Sequence, residues 1–184
     1  MNARAKQLGL NQSHFVNPDG LPEPPGQMMS ALDLAKLSRH IITEYAQYYP
    51  YFSEREFTWN KIRQPNRDLV LGMLEGADGL KTGHTDAAGY GIVVSAKRGD
   101  QRLILVLNGL RYPQYRNDYF PNIRRAEEAV RVMELAFREF RSYPVLKTNQ
   151  IVGNVPVLEG ADEAVPATAA KPLNVTMQVE SRKG

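Results

Sequence analysis

The 184-residue sequence contains no cysteine. Disulfide bonds and thiolate metal sites are therefore excluded, although the absence is compatible with both oxidising and reducing compartments. Only three histidines occur, at His14, His40 and His84, and none belongs to an H-E-x-x-H pattern, so we expect no metal site and no metal cofactor. No run of about 18 apolar residues is present, so no membrane-spanning helix is predicted. The N-terminal segment also lacks the apolar core of a signal peptide.

The charge balance of the chain does not indicate a strongly charged partner. The chain carries 23 basic and 20 acidic side chains in mixed order, for a formal net charge of +3. A weakly basic, mixed surface argues against nucleic acid as a partner. With 42% hydrophobic and 23% charged residues, the composition is that of a globular protein. Its length allows one domain, or one domain with part of another.

Both ends of the chain predict a piece of a longer protein. The sequence favours a helix from its first residue, because Met1, Ala5 and Leu8 share one face and Gly9 stands at the expected C-cap. No capping residue precedes this helix, so it is either a frayed terminus or the tail of a longer helix. After Tyr143 and Pro144 the pattern changes to short β segments, too few for a stable domain alone.

The middle of the chain predicts two further helices and two hairpins. A capping box at Ser30 and Asp33 should start a helix that Pro50 ends. A short extended pair should follow within "EFTWNKIRQPNRDLVL". The apolar runs on either side of "KRGDQR" predict a hairpin, and because they are nearly continuous we expect both faces of the sheet to be covered. The helix predicted over residues 122–140 has a buried stripe of Ile123, Ala126, Val130, Met133, Phe137 and Phe140.

The tripeptide Lys81-Thr82-Gly83 stands just before the first of these apolar runs. At the border of a cleft, the ammonium group of Lys81 and the hydroxyl of Thr82 could bind a substrate carboxylate. Gly83 has no Cβ, so an extended ligand could pair with the strand. The amide beyond it could then stabilise an oxyanion. Alone, the triplet is weak evidence for such a site, because it can occur by chance. Lys81 could also be a solvated turn residue, and Asp78 and Asp86 beside it are typical turn residues.

With its flanks, "DGLKTGHTDAAGYGIVVSA" resembles the third signature motif of the penicillin-binding D-alanyl-D-alanine carboxypeptidases, serine peptidase family S11. "LGLNQSHFVNPDGL", "SALDLAKLSRHII", "EFTWNKIRQPNRD" and "QRLILVLNGL" also resemble family segments in family order. The resemblance implies an α+β fold. Residues 1–143 would be the C-terminal part of a β-lactamase/transpeptidase-like catalytic domain, an antiparallel sheet covered by helices and incomplete at its N-terminus. Residues 144–184 would begin a small β-sandwich domain.

The resemblance also implies which residues bind substrate. The K-T-G triplet would form one wall of the active-site groove, on the edge strand of the sheet, and the backbone N–H of the next residue would stabilise the oxyanion. One arginine, Arg116, would bind the terminal carboxylate, although it could instead make a surface ion pair. A second would border the groove within Asn66-Arg67-Asp68, where the family usually has N-R-N. The implied substrate-binding residues are Lys81, Thr82, Gly83, His84, Arg116 and Arg67.

The nucleophile of the family is the serine of S-x-x-K, and an S-x-N motif lies across the cleft. Neither motif occurs at any of the seven serines, which are Ser13, Ser30, Ser38, Ser53, Ser95, Ser142 and Ser181. We therefore expect no catalytic residue in this chain, with the serine and its lysine upstream. Residues 1–184 alone should be inactive. They should also need the missing N-terminal half, or a second copy, to cover apolar surface.

The implied reaction removes the terminal D-alanine from peptidoglycan pentapeptides through an acyl-enzyme, and β-lactams would acylate the same serine. No cofactor is implied. The protein would work on the periplasmic, extracytoplasmic face of the cytoplasmic membrane, and would meet the membrane only through a C-terminal anchor absent from these residues. Two alternatives remain open: a D,D-endopeptidase of the same fold, and a peptidoglycan-binding protein without catalysis. A third is an unrelated binding domain with an accidental K-T-G.

Overall fold

The computed structural model describes residues 1–179 and divides into two compact units, Met1–Leu135 and Ala136–Gly184. Ser181, one of the serines considered above, lies outside the described residues. The helices are α1 (Asn2–Gln7), α2 (Ala31–Glu44) and α3 (Tyr119–Glu139), and two 3-10 helices span Tyr49–Ser53 and Leu69–Gly72. The strands are β1 (Glu56–Trp59), β2 (Ile62–Pro65), β3 (Ala77–Thr85), β4 (Gly89–Arg98), β5 (Gln101–Leu110), β6 (Phe140–Leu146), β7 (Ile151–Pro156), β8 (Ala164–Thr168) and β9 (Leu173–Gln178).

The predicted first helix is present as α1. Gly9 follows it with φ +70°, the left-handed conformation that ends many helices. The predicted face is only partly correct, because Ala5 is buried whereas Met1 is exposed. The segment after α1 is tied to the start of α2 by buried Asp33. Its carboxylate accepts hydrogen bonds from the backbone N–H of Gln12 at 2.7 Å and the hydroxyl of Ser13 at 2.8 Å.

The start of α2 is confirmed, but its predicted end is wrong. The Ser30 hydroxyl accepts a hydrogen bond from the backbone N–H of Asp33 at 3.2 Å, which satisfies one free amide of the first turn. The helix ends at Glu44, since Tyr45 leaves the helical conformation. Pro50 instead lies near the start of the 3-10 helix Tyr49–Ser53, where a residue without an N–H is tolerated.

A three-stranded antiparallel sheet in the order β3-β4-β5 forms the centre of the first unit. The predicted hairpin is confirmed, with Arg98 opposite Gln101 across a two-residue turn. β4 is almost entirely buried, as its apolar run predicts, whereas most of β5 is only half-buried. Among the described strands, β3 pairs only with β4, so the strand that carries K-T-G lies at an edge of this sheet.

The helix predicted over 122–140 is α3, which begins earlier, at Tyr119. Ala126, Met133 and Phe137 of the predicted stripe are buried. Phe140 was wrongly included: it is the first residue of β6 and is 39% exposed. The helix packs across the sheet, since Glu134 on α3 forms an ion pair with Arg98 on β4 at 2.5 Å.

The predicted short extended pair is the hairpin β1-β2. Its turn residues, Asn60 and Lys61, have φ of 47° and 65°, as a tight type I′ turn requires. Trp59 and Ile62 are directly opposite each other next to this turn and are 70% and 61% exposed. The hairpin therefore presents apolar side chains to solvent in this part of the chain.

The second unit is β-rich, as its sequence predicts. Its described residues form two antiparallel pairs, β6 with β9 and β7 with β8. The first unit ends at Leu135, and β6 already begins at Phe140, so the predicted boundary after Tyr143 falls inside a strand. The assignment of 1–143 and 144–184 as domains stays a prediction. Within residues 1–179, no helix combines the length and apolar character needed to cross a membrane.

We expect Met133→Ala to destabilise the first unit, because this side chain is only 1% exposed and its truncation leaves a cavity. The free energy of unfolding should fall by about 2–5 kcal/mol, measured by urea denaturation. Leu135→Ala on the same helix is the matched control. Leu135 is 39% exposed, and its loss should change stability by about 0.5 kcal/mol or less. Equal losses from the two variants would contradict the burial of this face of α3.

Candidate active-site groove

A partly buried polar network holds the first residues of β3. Asp78 forms an ion pair with Arg102 of β5 at 2.7 Å and accepts a hydrogen bond from the Tyr49 hydroxyl at 2.8 Å. Arg102 also donates to the Ser95 hydroxyl of β4 at 2.6 Å. Burial raises the pKa of Tyr49 to about 12, so it stays a neutral donor. Asp78 thus anchors β3 to its neighbours, and the expectation that it shapes a turn was wrong.

The K-T-G triplet lies further along β3, with Lys81 opposite Val93 and Gly83 opposite Gly91. Lys81 donates a hydrogen bond to the backbone carbonyl of Thr82. A Cβ at Gly83 would meet no atom within 4 Å, and the backbone there has no positive φ. The absence of a side chain therefore relieves no crowding within the protein. It leaves open space beside the strand, which is what a ligand backbone needs in order to approach.

This open space is part of a groove of about 650 Å³. Its walls are contributed by β3, by the segment that follows β2, and by the first turns of α3. The lining residues are Pro65, Asn66, Arg67, Leu69, Lys81, Thr82, Gly83, His84, Tyr90, Asp118, Tyr119, Asn122, Ile123 and Arg125. Five of the six predicted substrate-binding residues, from Arg67 and the Lys81–His84 segment, thus lie around one groove.

Three cationic side chains share this groove, and their charges act on one another. The pKa of Lys81 is lowered from its ordinary value, first by burial and then by the positive charges of Arg67 and Arg125. Without a bound anion, the mutual repulsion disfavours the charged forms of these side chains. An anion in the groove would relieve this repulsion, so the groove is suited to bind a negatively charged group.

Arg125 is the groove residue that sequence reasoning missed, because it is not part of the predicted buried stripe of α3. Its side chain is only 3% exposed, and burial lowers its pKa. Its guanidinium lies against the sheet, with Nη1 donating to the carbonyls of Gly83 at 3.3 Å and Gly91 at 3.4 Å. A signal was available: Arg125, Ala129 and Met133 are spaced by four and so share the buried face of the helix.

Arg67 is placed by the residues on both sides of it. Asn66 is fixed by its side-chain amide, which donates to the carbonyl of Glu54 at 2.8 Å. Asp68 is 5% exposed, and its Oδ1 accepts the N–H of Val70 at 3.0 Å, which caps the 3-10 helix Leu69–Gly72. Burial raises the pKa of Asp68 from its ordinary value. Asp68, which stands where the family usually has asparagine, thus places a buried carboxyl group next to the groove residue Arg67.

A second cluster fixes the residue after K-T-G. The His84 ring stacks on the Tyr90 ring opposite it in β4, with centroids 3.8 Å apart. The Tyr90 hydroxyl donates to Asp118 Oδ1, which is also 3.9 Å from His84 Nδ1. Burial, followed by this hydrogen bond, raises the pKa of Tyr90 to about 12. The imidazole is therefore held in place by its neighbours, while the oxyanion role of the His84 N–H stays a prediction.

Arg116, the sixth predicted residue, lines a neighbouring cavity of about 380 Å³ and not the groove around K-T-G. His84, Tyr90 and Asp118 border both cavities. The role of Arg116 in carboxylate binding stays a prediction, whereas Arg125 is the arginine that contacts the K-T-G strand. Within residues 1–179, no three metal-binding side chains cluster at one point.

Comparison with known proteins identifies relatives from one family. The family model of peptidase family S11, the D-alanyl-D-alanine carboxypeptidases, matches residues 1–111. The carboxypeptidase DacD of Salmonella typhimurium is 36% identical over 166 residues, covering 90% of this chain and 40% of the relative. DacF of Bacillus subtilis is 32% identical over 180 residues, covering 95% and 43%. The chain thus spans less than half the length of these two curated relatives.

Solved structures show the same relationship. Penicillin-binding protein 5 of Haemophilus influenzae superposes with a TM-score of 0.83 at 32% identity, over 97% of this chain and 49% of that one. Penicillin-binding protein D2 of Listeria monocytogenes, solved in an ampicillin-bound form, gives 0.64 at 29% identity over 74% and 53%. The fold is thus that of the penicillin-binding proteins, which confirms the predicted α+β class. The chain belongs to the D-alanyl-D-alanine carboxypeptidase family, peptidase family S11.

The lowered pKa of Lys81 can be tested directly. We expect Arg67→Gln to raise the pKa of Lys81 toward its ordinary value, because one of two nearby positive charges is removed. The measurement is an NMR pH titration of the Lys81 side chain. Arg124→Gln is the matched control, since Arg124 pairs with Glu127 on the exposed side of α3. Equal changes in both variants would contradict a local effect.

The same shift has a consequence for stability. The folded state releases the Lys81 proton at lower pH than the unfolded chain, so the unfolded state binds more protons between the two pKa values. The contribution of Lys81 to the free energy of unfolding should therefore rise with pH across that interval.

Proposed function

We propose that this chain forms the substrate-binding wall of a serine-type D-alanyl-D-alanine carboxypeptidase of peptidoglycan maturation. The observation that carries the proposal is the convergence of Lys81, Arg67 and Arg125 on an open edge strand at Gly83. A free carboxylate next to a peptide bond is the chemical feature that this arrangement suits.

The terminal carboxylate of the substrate is the anion that would offset the repulsion among the three cations. Lys81 supplies a compact charge and the Thr82 hydroxyl a further donor. Arg125 adds a planar guanidinium, whose fork of donors matches a carboxylate. Its burial against β3 supports Arg125, ahead of Arg116, as the arginine that binds this carboxylate.

The rest of the substrate peptide would lie along β3. β3 pairs with β4 on one side only, so its other edge can accept an extended ligand. The bare backbone at Gly83 allows close approach. The N–H of His84 would then donate to the oxygen of the scissile carbonyl and stabilise the negative charge that develops on it.

In the proposed reaction, a serine hydroxyl attacks the carbonyl carbon between the two D-alanines. The bond to the terminal D-alanine breaks, that residue leaves with a proton on its amine, and water then hydrolyses the acyl-enzyme ester. The attacking serine belongs to an S-x-x-K motif that residues 1–184 do not contain. These residues therefore position and polarise the substrate, and another segment supplies the nucleophile. No cofactor takes part.

The proposed substrate also indicates where the protein works and which other ligands it should bind. Peptidoglycan pentapeptides lie outside the cytoplasmic membrane, so we infer a periplasmic or extracytoplasmic location. β-Lactams carry a carboxylate beside a reactive amide, as the D-alanyl-D-alanine terminus does, and so should occupy the same groove. The ampicillin-bound Listeria relative supports this inference.

Fluorescent penicillin tests the proposal. We expect the protein at its natural length to be labelled covalently, and Lys81→Ala to slow labelling by about a hundredfold, the size of effect typical of one preorganised charged group in a reaction site. Labelling is measured by gel fluorescence over time. Near-normal labelling of Lys81→Ala would refute the role of Lys81. Stable labelling of residues 1–184 alone would show that the nucleophile lies within them.

Hydrolysis of a D-alanyl-D-alanine peptide distinguishes the two candidate arginines. Arg125→Gln should raise KM about tenfold to a hundredfold, because a charge-assisted hydrogen bond is worth about 1.5–3 kcal/mol. Arg116→Gln removes the same charge from the neighbouring cavity and should change KM by less than about threefold. KM and kcat are both measured by D-alanine release. The opposite ranking would assign the carboxylate to Arg116.

A further inference from the structure

The second cavity, of about 380 Å³, adjoins the groove around K-T-G. His84, Tyr90 and Asp118 line both spaces, so a ligand in the groove can extend into the cavity. The walls of the cavity come from the β3-β4 turn, from the end of β5 and from the segment that connects β5 to α3. All of these elements belong to the first unit, as the groove does.

The walls of this cavity are held in place by contacts within the protein. Arg111 donates hydrogen bonds to the backbone carbonyls of Asp86 at 3.2 Å and Ala87 at 2.7 Å, which ties the segment after β5 to the β3-β4 turn. The Tyr112 ring packs against the Tyr90 ring, with centroids 5.8 Å apart. These contacts shape the cavity without a ligand, as is usual for sites that bind small molecules.

Arg116 is the cation of this cavity that is free to meet a ligand. Within residues 1–179 its guanidinium makes no hydrogen bond and no ion pair, whereas the guanidinium of Arg111 is occupied by carbonyl groups. Asp118, two residues further on, accepts a hydrogen bond from the Tyr90 hydroxyl and does not pair with Arg116. The fork of donors on a guanidinium matches a carboxylate, so the cavity can bind one at Arg116.

The proposed function fixes the direction in which a substrate would run along β3. Its terminal carboxylate would lie at Lys81 and Thr82, and its scissile carbonyl would meet the N–H of His84. Moving away from its terminus, the peptide would therefore pass His84 toward the β3-β4 turn. An extended peptide advances about 3.3–3.6 Å per residue, nearly the same as a strand. The residue that precedes the two D-alanines would thus lie beyond His84, beside the second cavity, which His84 and Asp86 line.

We propose that the second cavity is a subsite for the side chain of the residue that precedes D-alanyl-D-alanine, and that Arg116 binds a carboxylate at the end of that side chain. The inference rests on the proposed function, which supplies the direction of the substrate. It assigns the two arginines to different anions of one peptide. Arg125 meets the terminal carboxylate, and Arg116 meets a carboxylate further from the terminus.

The other charges of the cavity decide which side chain it favours. Asp86 and Asp118 line it together with Arg111 and Arg116, so a side chain that ends in both an ammonium group and a carboxylate would meet charges of both signs. Asp118 is already engaged by a hydroxyl, whereas Arg116 is not engaged, so a carboxylate gains the new partner. Peptidoglycan peptides with a diamino diacid at this position are therefore favoured over those with lysine.

Three peptides with side chains of matched length test the subsite in the protein at its natural length. Each ends in D-alanyl-D-alanine, and the preceding residue is aminopimelate, lysine or aminoheptanoate. Their side chains end in a carboxylate, an ammonium group and a methyl group. KM and kcat are measured by D-alanine release. The KM of the aminopimelate peptide should be about threefold to tenfold lower than that of the aminoheptanoate peptide, a modest effect because Arg116 is exposed.

Substitution of Arg116 should change this preference in a predictable way. Arg116→Gln should abolish it by raising the KM of the aminopimelate peptide, with a smaller change in kcat, because the lost contact is remote from the scissile bond. Arg116→Glu should shift the preference to the lysine peptide. Arg131→Gln is the matched control and should keep the original preference, since Arg131 pairs with Glu128 on α3 at 2.7 Å and does not line the cavity. A preference that survives in Arg116→Gln, or equal KM values for the three peptides in the unmodified protein, would overturn the proposal.

Direct binding separates this inference from the proposed function. The aminopimelate peptide is titrated into isotope-labelled protein, and the NMR signal of the Arg116 Nε–H is followed. If the peptide binds and shifts this signal but no D-alanine is released, the proposed function fails and the subsite stands. If D-alanine is released from all three peptides with the same KM, the proposed function stands and the subsite is refuted. If no peptide binds and none is cleaved, both fail.

Discussion

The pairing of β3 with β4 is the constraint on which the groove depends. It sets Lys81 opposite Val93 and His84 opposite Tyr90, and so fixes which side chains reach the ligand side of the strand. A shift by one residue would exchange the two faces of β3. The ion pair of Asp78 with Arg102 prevents such a shift, because it ties the first residues of β3 to β5 across the buried strand between them.

The groove contains three positively charged side chains, and their mutual repulsion lowers the stability of the folded protein. Its three cations repel one another, and burial of Arg125 adds to the cost. The carbonyls of Gly83 and Gly91 offset part of this cost by accepting hydrogen bonds from Arg125. The remainder is available to a bound anion. On the proposed function, the substrate carboxylate would be the anion that relieves this repulsion.

Local patterns predicted most of the fold, because hairpins and amphipathic helices are determined by neighbouring residues. The turn after Arg98 and the cap at Ser30 are examples. The errors arose where tertiary contacts decide. Pro50 fits a 3-10 helix that the sequence analysis did not predict, and Arg125 is buried although it was not part of the predicted apolar stripe of α3. A motif marks the residues that touch a ligand, but the residues that support them come from distant segments.

On the proposed function, these supports would allow substrate recognition and chemistry to reside in different parts of one enzyme. Each part of the wall is fixed by residues of the unit Met1–Leu135: β3 by Arg102, Arg67 by its neighbour Asn66, and His84 by Tyr90. None of these contacts requires a nucleophile. On the proposed function, the wall would therefore bind a D-alanyl terminus without help from the nucleophile, and would fix which carbonyl the serine meets.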